Sequence, residues 1–140
     1  MKKRKCSQIV NKLQENNLRV TKQRKAIYKV LKKKSKPLSA REIYNILKIE
    51  HSDLRLSTIY RNLKLFVEKN IVKKLSYGQK ENYYELQEGE HHHHLICTEC
   101  GEVRPLQCPL QGFETQVEQE NNYHVLEHEI KVYGLCSACR

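Results

Sequence analysis

Residues 91–101, His-His-His-His-Leu-Ile-Cys-Thr-Glu-Cys-Gly, carry more coordination chemistry than any other stretch of the chain. Cys97 and Cys100 form one Cys-x-x-Cys pair, and Cys136 and Cys139 form a second at the end of the sequence. Each pair makes a tight chelating turn, and two pairs supply the four thiolates of a closed tetrahedral zinc site. Two disulfides are the alternative. No secretory segment precedes the chain, and cytosolic thiols stay reduced, so zinc is the stronger reading. A thioredoxin-like redox pair fits poorly, because it needs one such pair after a strand in a βαβ unit.

The histidines call for a separate account. If Leu95 and Ile96 belong to a strand that continues back through the tract, alternation sends His92 and His94 to one face. His91 and His93 then point to the other, and one tract feeds two metal centres. A solvated polar run is the bland alternative, but the adjoining cysteine pair favours ligation. Cys6 has no thiol or histidine near it in sequence and is read as incidental.

These side chains must be positioned by a chain of 140 residues, enough for one domain or two small ones. Residues 1–80 hold 23 Lys or Arg against 5 Asp or Glu, a net of +18. Residues 81–140 hold 3 basic and 11 acidic residues, a net of −8. So sharp a split implies two modules with different partners. The basic one suits a polyanion, whose phosphates it would contact with release of counterions. A merely solubilising surface is the competing explanation. No apolar run approaches the length of a membrane span, and no targeting or lipidation motif is visible, so a cytoplasmic protein is expected.

Four helices are expected in the basic half. Ile9, Val10 and Leu13 have helical spacing, and Asn16-Asn17 ends that segment. Thr21 is a natural N-cap for a second helix burying Ile27, Tyr28, Val30 and Leu31, stopped at Pro37. Ser39 and Glu42 form a capping box for a third, with Ile43, Tyr44, Ile46 and Leu47 as its apolar stripe. Ser57 is read as the cap of a fourth, with Ile59, Leu63, Leu65 and Phe66 inward. Thr58, Tyr60, Arg61, Asn62 and Lys64 are then left outward, a face able to read base edges and phosphates. Strands over 71–76 and 82–86, joined across 77–80, follow as a wing, the order of a winged helix-turn-helix. In the acidic half, strands are expected over 92–96, 102–106 and 129–134, with a helix from Pro109 to about Glu120. Three strands and a helix make a small core, which zinc and self-association would supplement.

Taken together, these motifs resemble the ferric uptake regulator family over nearly the whole chain. The resemblance rests on Arg19-Val20-Thr21-x-Gln23-Arg24, Leu38-Ser39-Ala40-x-Glu42-Ile43-Tyr44 and Ser57-Thr58-Ile59-Tyr60-Arg61-x-Leu63. It continues in Tyr84-Glu85-Leu86, the histidine run with Leu95-Ile96-Cys97-x-x-Cys100-Gly101, and Tyr133-Gly134-x-Cys136-x-x-Cys139. What it implies is an α+β protein: a winged helix-turn-helix DNA-binding domain over 1–87, then a small α/β metal-binding dimerisation domain over 88–140. It implies a homodimeric repressor that binds palindromic operators in double-stranded DNA when metal-loaded, not an enzyme, with no membrane or small-molecule substrate. Cys97, Cys100, Cys136 and Cys139 correspond to structural zinc ligands. Glu85, His92 and His94 correspond to a regulatory site for a second divalent metal, zinc or iron, with manganese a further candidate. His91, His93 and His128 correspond to an additional site, with Glu114 as its carboxylate. Arg19 corresponds to a minor-groove residue, and Tyr60 and Arg61, beside Thr58, to DNA-contacting positions.

The chain departs from the family pattern at Pro37 and Pro105, where regulatory donors are usual and where proline cannot ligate. Glu102, Cys108 and His51 are candidate replacements. The peroxide-sensing branch usually relies on aspartates there, and neither place is aspartate. The zinc-sensing branch often uses a cysteine near Glu85, also absent. Zinc and iron sensing both stay open. Two other function classes compete: a zinc-dependent hydrolase or peroxide-decomposing metalloprotein built on the histidine tract, and a zinc-ribbon RNA-binding module. The hydrolase needs an open coordination position and a positioned base, for which Glu85, Glu88 or Glu90 would have to serve. The RNA module needs stacking aromatics on a sheet, whereas Tyr60 falls in a helix.

Overall fold

The computed structural model describes residues 2–34, 36–77 and 81–140, with side chains from residue 8 onward. The chain divides into two compact units, Met1–Glu88 and Gly89–Arg140. The fold is α+β, with five helices and two small sheets among the described residues.

The first unit contains α1 (Lys2–Glu15), α2 (Lys22–Lys34), β1 (Leu38–Ser39), α3 (Ala40–Leu47), α4 (Leu56–Glu68), β2 (Val72–Tyr77) and β3 (Glu81–Leu86). The run of four basic residues at 2–5 forms the first turn of α1. One apolar cluster holds the unit together, with Leu13, Ile27, Ile43, Ile59, Leu63 and Phe66 all fully buried. The helix ends follow their chemistry. Asn17 and Asn70 adopt left-handed φ values of 57° and 56°, which asparagine tolerates better than most residues. Each lets the next N–H reach back five residues, Leu18 to the Leu13 carbonyl and Ile71 to that of Phe66, both at 2.9 Å. Thr21 Oγ1 accepts from the Arg24 N–H at 3.2 Å, as an N-cap should. Ser39 and Glu42 close both arms of the capping box at 3.2 and 2.7 Å.

Three expectations for this unit need correction. The N-cap of α4 is Arg55, and Ser57 lies inside the first turn. Asn62 is buried, 7% exposed, because Arg24 covers it. The third sheet strand, β1, is a two-residue extension of the segment after Pro37 that pairs with Tyr83 and Tyr84 to give the order β1-β3-β2. Of the connection expected across 77–80, Tyr77 belongs to β2 and residues 78–80 lie outside the described residues. At the end of the unit, Tyr28, itself buried, donates its hydroxyl hydrogen to Glu88, and Lys32 Nζ approaches the other carboxylate oxygen at 3.4 Å.

The second unit contains β4 (His92–Cys97), β5 (Val103–Gln107), α5 (Phe113–Asn121) and β6 (Lys131–Gly134). β4 is central, antiparallel to β5 and parallel to β6. Pro105, which has no N–H to give, sits on edge strand β5 opposite His94. The helix begins at Phe113 rather than at Pro109, behind a left-handed Gly112 at φ 78°. None of its residues is buried, so its apolar pattern had little to anchor it to. Val132, Tyr133 and Leu135 around β6 are also exposed.

Candidate metal centres

Strand alternation along β4 separates the histidines into two pairs. His92 and His94 stack edge-on with ring centroids 5.1 Å apart, and His91 and His93 do the same at 4.5 Å. His93 and His94 are buried, so the tract is not a solvated run.

The four cysteines of the two Cys-x-x-Cys pairs converge, their sulfurs all within 4.8 Å of one another. Parallel pairing of β4 with β6 brings this about, since Cys97 ends β4 beside Gly134 and Cys136 follows two residues later. Cys100 Sγ and Cys136 Sγ lie 3.8 Å apart. Sulfurs about 2.3 Å from one zinc ion stand roughly 3.8 Å from each other in a tetrahedron, far longer than a disulfide. Gly101, at φ 76°, turns the chain so that its N–H donates to the Cys97 carbonyl at 3.0 Å. Backbone N–H groups also reach sulfur, Cys136 N–H to Cys97 Sγ at 3.4 Å. Such bonds, chiefly from Cys100 and then Cys136, pull the Cys97 thiol down to about 6, while hydrogen bonding to Cys136 pushes Cys139 up to about 12. Four sulfurs this close suit a shared divalent cation, to which they would bind as thiolates with release of their protons.

A second cluster lies wholly within the same unit. His91, His93, Cys108 and His128 bring one donor atom each within 4.8 Å of the others. The Nε2 atoms of His91, His93 and His128 are mutually 3.1 Å apart, and Cys108 Sγ is 3.3 Å from His128 Nε2. Two expectations are corrected here. Glu114 is not among the four. Its Oε1 lies 2.6 Å from His128 Nδ1, on the far side of that ring. Cys108, a candidate for the site short of donors at Pro37 and Pro105, instead joins His91, His93 and His128. Burial lowers the His93 pKa below the ordinary imidazole value, assisted by neighbouring His91 and His128. Hydrogen bonds to Cys108 and Glu114 raise that of His128.

The remaining candidates fall as follows. Glu85 is half-buried on β3 of the first unit, while His92 and His94 share a face of β4 in the second. Glu102 pairs with Arg104 at 3.1 Å, and His51 lies in the first unit beside Lys22, Lys25 and Lys29. On α4, Tyr60 is 46% exposed, Arg61 is exposed and Thr58 half-buried, with Arg61 Nη2 3.5 Å from Thr58 Oγ1. Arg19 is exposed, and its carbonyl accepts from Arg24 Nη1 at 2.7 Å. Arg24 also donates from Nε to Asn62 Oδ1 at 3.0 Å, and Asn62 Nδ2 donates to the Thr58 carbonyl at 3.0 Å. The linking roles of Arg24 and Asn62 were not read from the sequence. Both lie within motif stretches, but nothing in their spacing shows that they meet.

Comparison with known proteins agrees with this architecture. Residues 15–133 match the Ferric uptake regulator family. The chain is 32% identical over 133 residues to the ferric uptake regulation protein of Neisseria gonorrhoeae, covering 94% of this chain and 92% of that one. It is 33% identical over 132 residues to the peroxide-responsive repressor PerR of Staphylococcus saprophyticus, covering 94% and 88%. The structure of the Helicobacter pylori ferric uptake regulator, described as having three functional metal-binding sites, superposes with a TM-score of 0.82 at 25% identity, covering 95% of this chain and 89% of that one.

Proposed function

The chain belongs to the ferric uptake regulator family, whose members are metal-responsive transcription regulators and not enzymes, and we propose from that premise that it is a DNA-binding repressor of metal-homeostasis genes. It acts in the cytoplasm as a homodimer on palindromic operators, and metal loading raises its affinity for them. The observation that carries this reading is the division of labour along one chain. A +18 stretch of 80 residues folds into helices and a wing, and a −8 remainder gathers histidines and cysteines into metal-ligating groups.

The proposed roles follow from that division. Arg19, Thr58, Tyr60 and Arg61 face the DNA, with Arg61 toward phosphate and Tyr60 toward bases. Cys97, Cys100, Cys136 and Cys139 hold a structural zinc ion, which supplies folding energy rather than chemistry. Glu85, His92 and His94 are the regulatory donors, for zinc or iron and, as a third candidate, manganese. A regulatory ion acts only by binding the operator-competent state more tightly than the other. A peroxide-sensing role is the second reading, favoured by the similarity to the Staphylococcus repressor. Against it, the chain holds a single aspartate, Asp53, in the loop before α4, and none in the histidine or cysteine clusters.

Operator binding titrated against free zinc, iron and manganese tests the proposal. Converting His92 and His94 to Ala is expected to abolish metal-stimulated binding while leaving zinc at the four cysteines. Converting His91 and His93 should shift affinity and keep the response. A silent His91/His93 variant beside a normal His92/His94 variant would assign the switch to the opposite face of β4.

A further inference from the structure

We propose that Arg24 is a positioning residue for DNA recognition: it ties the Arg19 segment to α4, so that the minor-groove and major-groove contacts of the first unit act as one rigid reader. The inference deepens the proposed function and rests on its assignment of Arg19, Thr58, Tyr60 and Arg61 to the DNA face. Arg24 itself touches no DNA in this role.

A duplex presents its two grooves at a fixed separation, so a protein that reads both does best when its two probes already stand at that separation. Here the probes come from different parts of the chain. Tyr60 and Arg61 stand on α4, whereas Arg19 lies in the short connection between α1 and α2, outside any helix or strand. Leu18 beside it is buried, but Arg19 is exposed, and apolar packing does not set its position.

Hydrogen bonds do. Arg24 Nη1 donates to the Arg19 carbonyl at 2.7 Å, and its Nε donates at 3.0 Å to Asn62 Oδ1, 38 positions along the chain. Asn62 Nδ2 donates to the Thr58 carbonyl at 3.0 Å, and Arg61 Nη2 approaches Thr58 Oγ1 at 3.5 Å, the weakest link. A continuous path of polar contacts therefore runs from Arg19 to Arg61. Because the guanidinium is planar, covalent geometry fixes the angle between its two acceptors. The Asn62 amide has one workable orientation, since a flipped amide would set a donor against Arg24 and an acceptor against the Thr58 carbonyl.

The chemistry separates this role from plain electrostatic attraction. Both partners of Arg24 are neutral oxygens, so its charge is not cancelled and still adds to the basic field of the unit. Lysine would keep that charge and lose the fork. A cation that served only to attract phosphate would tolerate the exchange.

The test uses full-length, metal-loaded protein and two probes: a duplex selected by the wild-type protein from a random pool, and a shuffled duplex of the same length and composition. Arg24→Lys should weaken binding to the selected duplex by roughly tenfold, about the effect of losing one hydrogen bond to a charged group. Binding to the shuffled duplex, and its salt slope, should stay unchanged, which also reports that the unit is folded. Arg24→Gln should weaken the selected duplex about as much. In an Arg19→Ala background, Arg24→Lys should cost no more than about threefold, because the contact it positions has already gone. Equal loss on both duplexes would make Arg24 a residue of the fold alone and overturn the proposal. Undiminished binding by Arg24→Lys beside a loss in Arg24→Gln, the mark of a direct phosphate contact, would also overturn it. If Arg19→Ala and Arg61→Ala both bind the selected duplex as the wild type does, the DNA-face assignment fails and takes this one with it. If both weaken binding and Arg24→Lys does not, the positioning role alone fails.

Discussion

Arg24 shows how much one side chain can organise. Its Nε donates to Asn62 Oδ1 on α4 and its Nη1 to the Arg19 carbonyl, so one planar fork joins a helix to the residue proposed for the minor groove. Asn62 in turn donates to the Thr58 carbonyl one turn back, which fixes its own amide orientation. Lysine could not replace Arg24, since a single ammonium lacks the rigid, divergent donors. With Asn62 only 7% exposed, Asn62→Ala leaves the Arg24 Nε–H without its protein acceptor. A loss of about 1–3 kcal/mol from the first unit is expected, the usual penalty for an abandoned partner in a half-buried pair. Urea denaturation of the metal-loaded protein, followed by helical circular dichroism, measures it. An unchanged midpoint would mean that water replaces the bond at no cost. The buried Tyr28 hydroxyl is a second such link, tying α2 to Glu88, and burial together with that carboxylate raises its pKa well above the ordinary phenol value.

At the scale of elements, the capping box at Ser39 is the clearest case of a local signal fixing structure. Ser39 Oγ accepts from the Glu42 N–H, and the Glu42 carboxylate accepts from the Ser39 N–H, at the head of an eight-residue helix too short to stand alone. Ser39→Ala should destabilise the first unit by about 1 kcal/mol, read as a lowered thermal midpoint, and Ser39→Thr, which keeps the hydroxyl, should lose less. If alanine leaves the midpoint where it was, packing of Ile43 and Leu47 alone sets the start of α3. The same kind of signal made most of the helical half legible, through apolar spacing in α2 and the Asn16-Asn17 end of α1, as alternation did for the histidines of β4. What could not be read was set by partners distant in the chain. Ser57 has the chemistry of a cap, yet α4 begins one residue earlier. β6 pairs in parallel with β4 across more than 30 residues, a register that no local pattern encodes. The place of Cys108 depends on where the chain runs after β5, so its spacing from the other cysteines carried no information about its neighbours. Glu114 lies on the expected helix and meets His128 at Nδ1 rather than joining the four clustered donor atoms, a placement that no spacing in the sequence encodes.

Across the whole molecule, the two units draw on different sources of stability, and this yields a prediction about metal removal. The first unit has a continuous apolar cluster from Ile9 to Tyr84. In the second, the buried apolar side chains among the described residues are Ile96, Cys97 and Val103. Three such side chains are a small apolar core for the 52 residues from Gly89 to Arg140. In domains with so little apolar core, binding of structural zinc is itself folding free energy. Cys97→Ser, or prolonged treatment of wild-type protein with a strong chelator, should therefore abolish amide-exchange protection in β4, β5 and β6. Protection in α2, α3 and α4 should remain, since no ligand of the cysteine cluster lies in that unit. Hydrogen exchange resolved by peptide gives both halves of the result in one measurement. Persistent protection across 92–97 and 131–134 in metal-free protein would show that the second unit is held by something other than zinc, with contact between two copies through exposed Val132, Tyr133 and Leu135 the first alternative to examine.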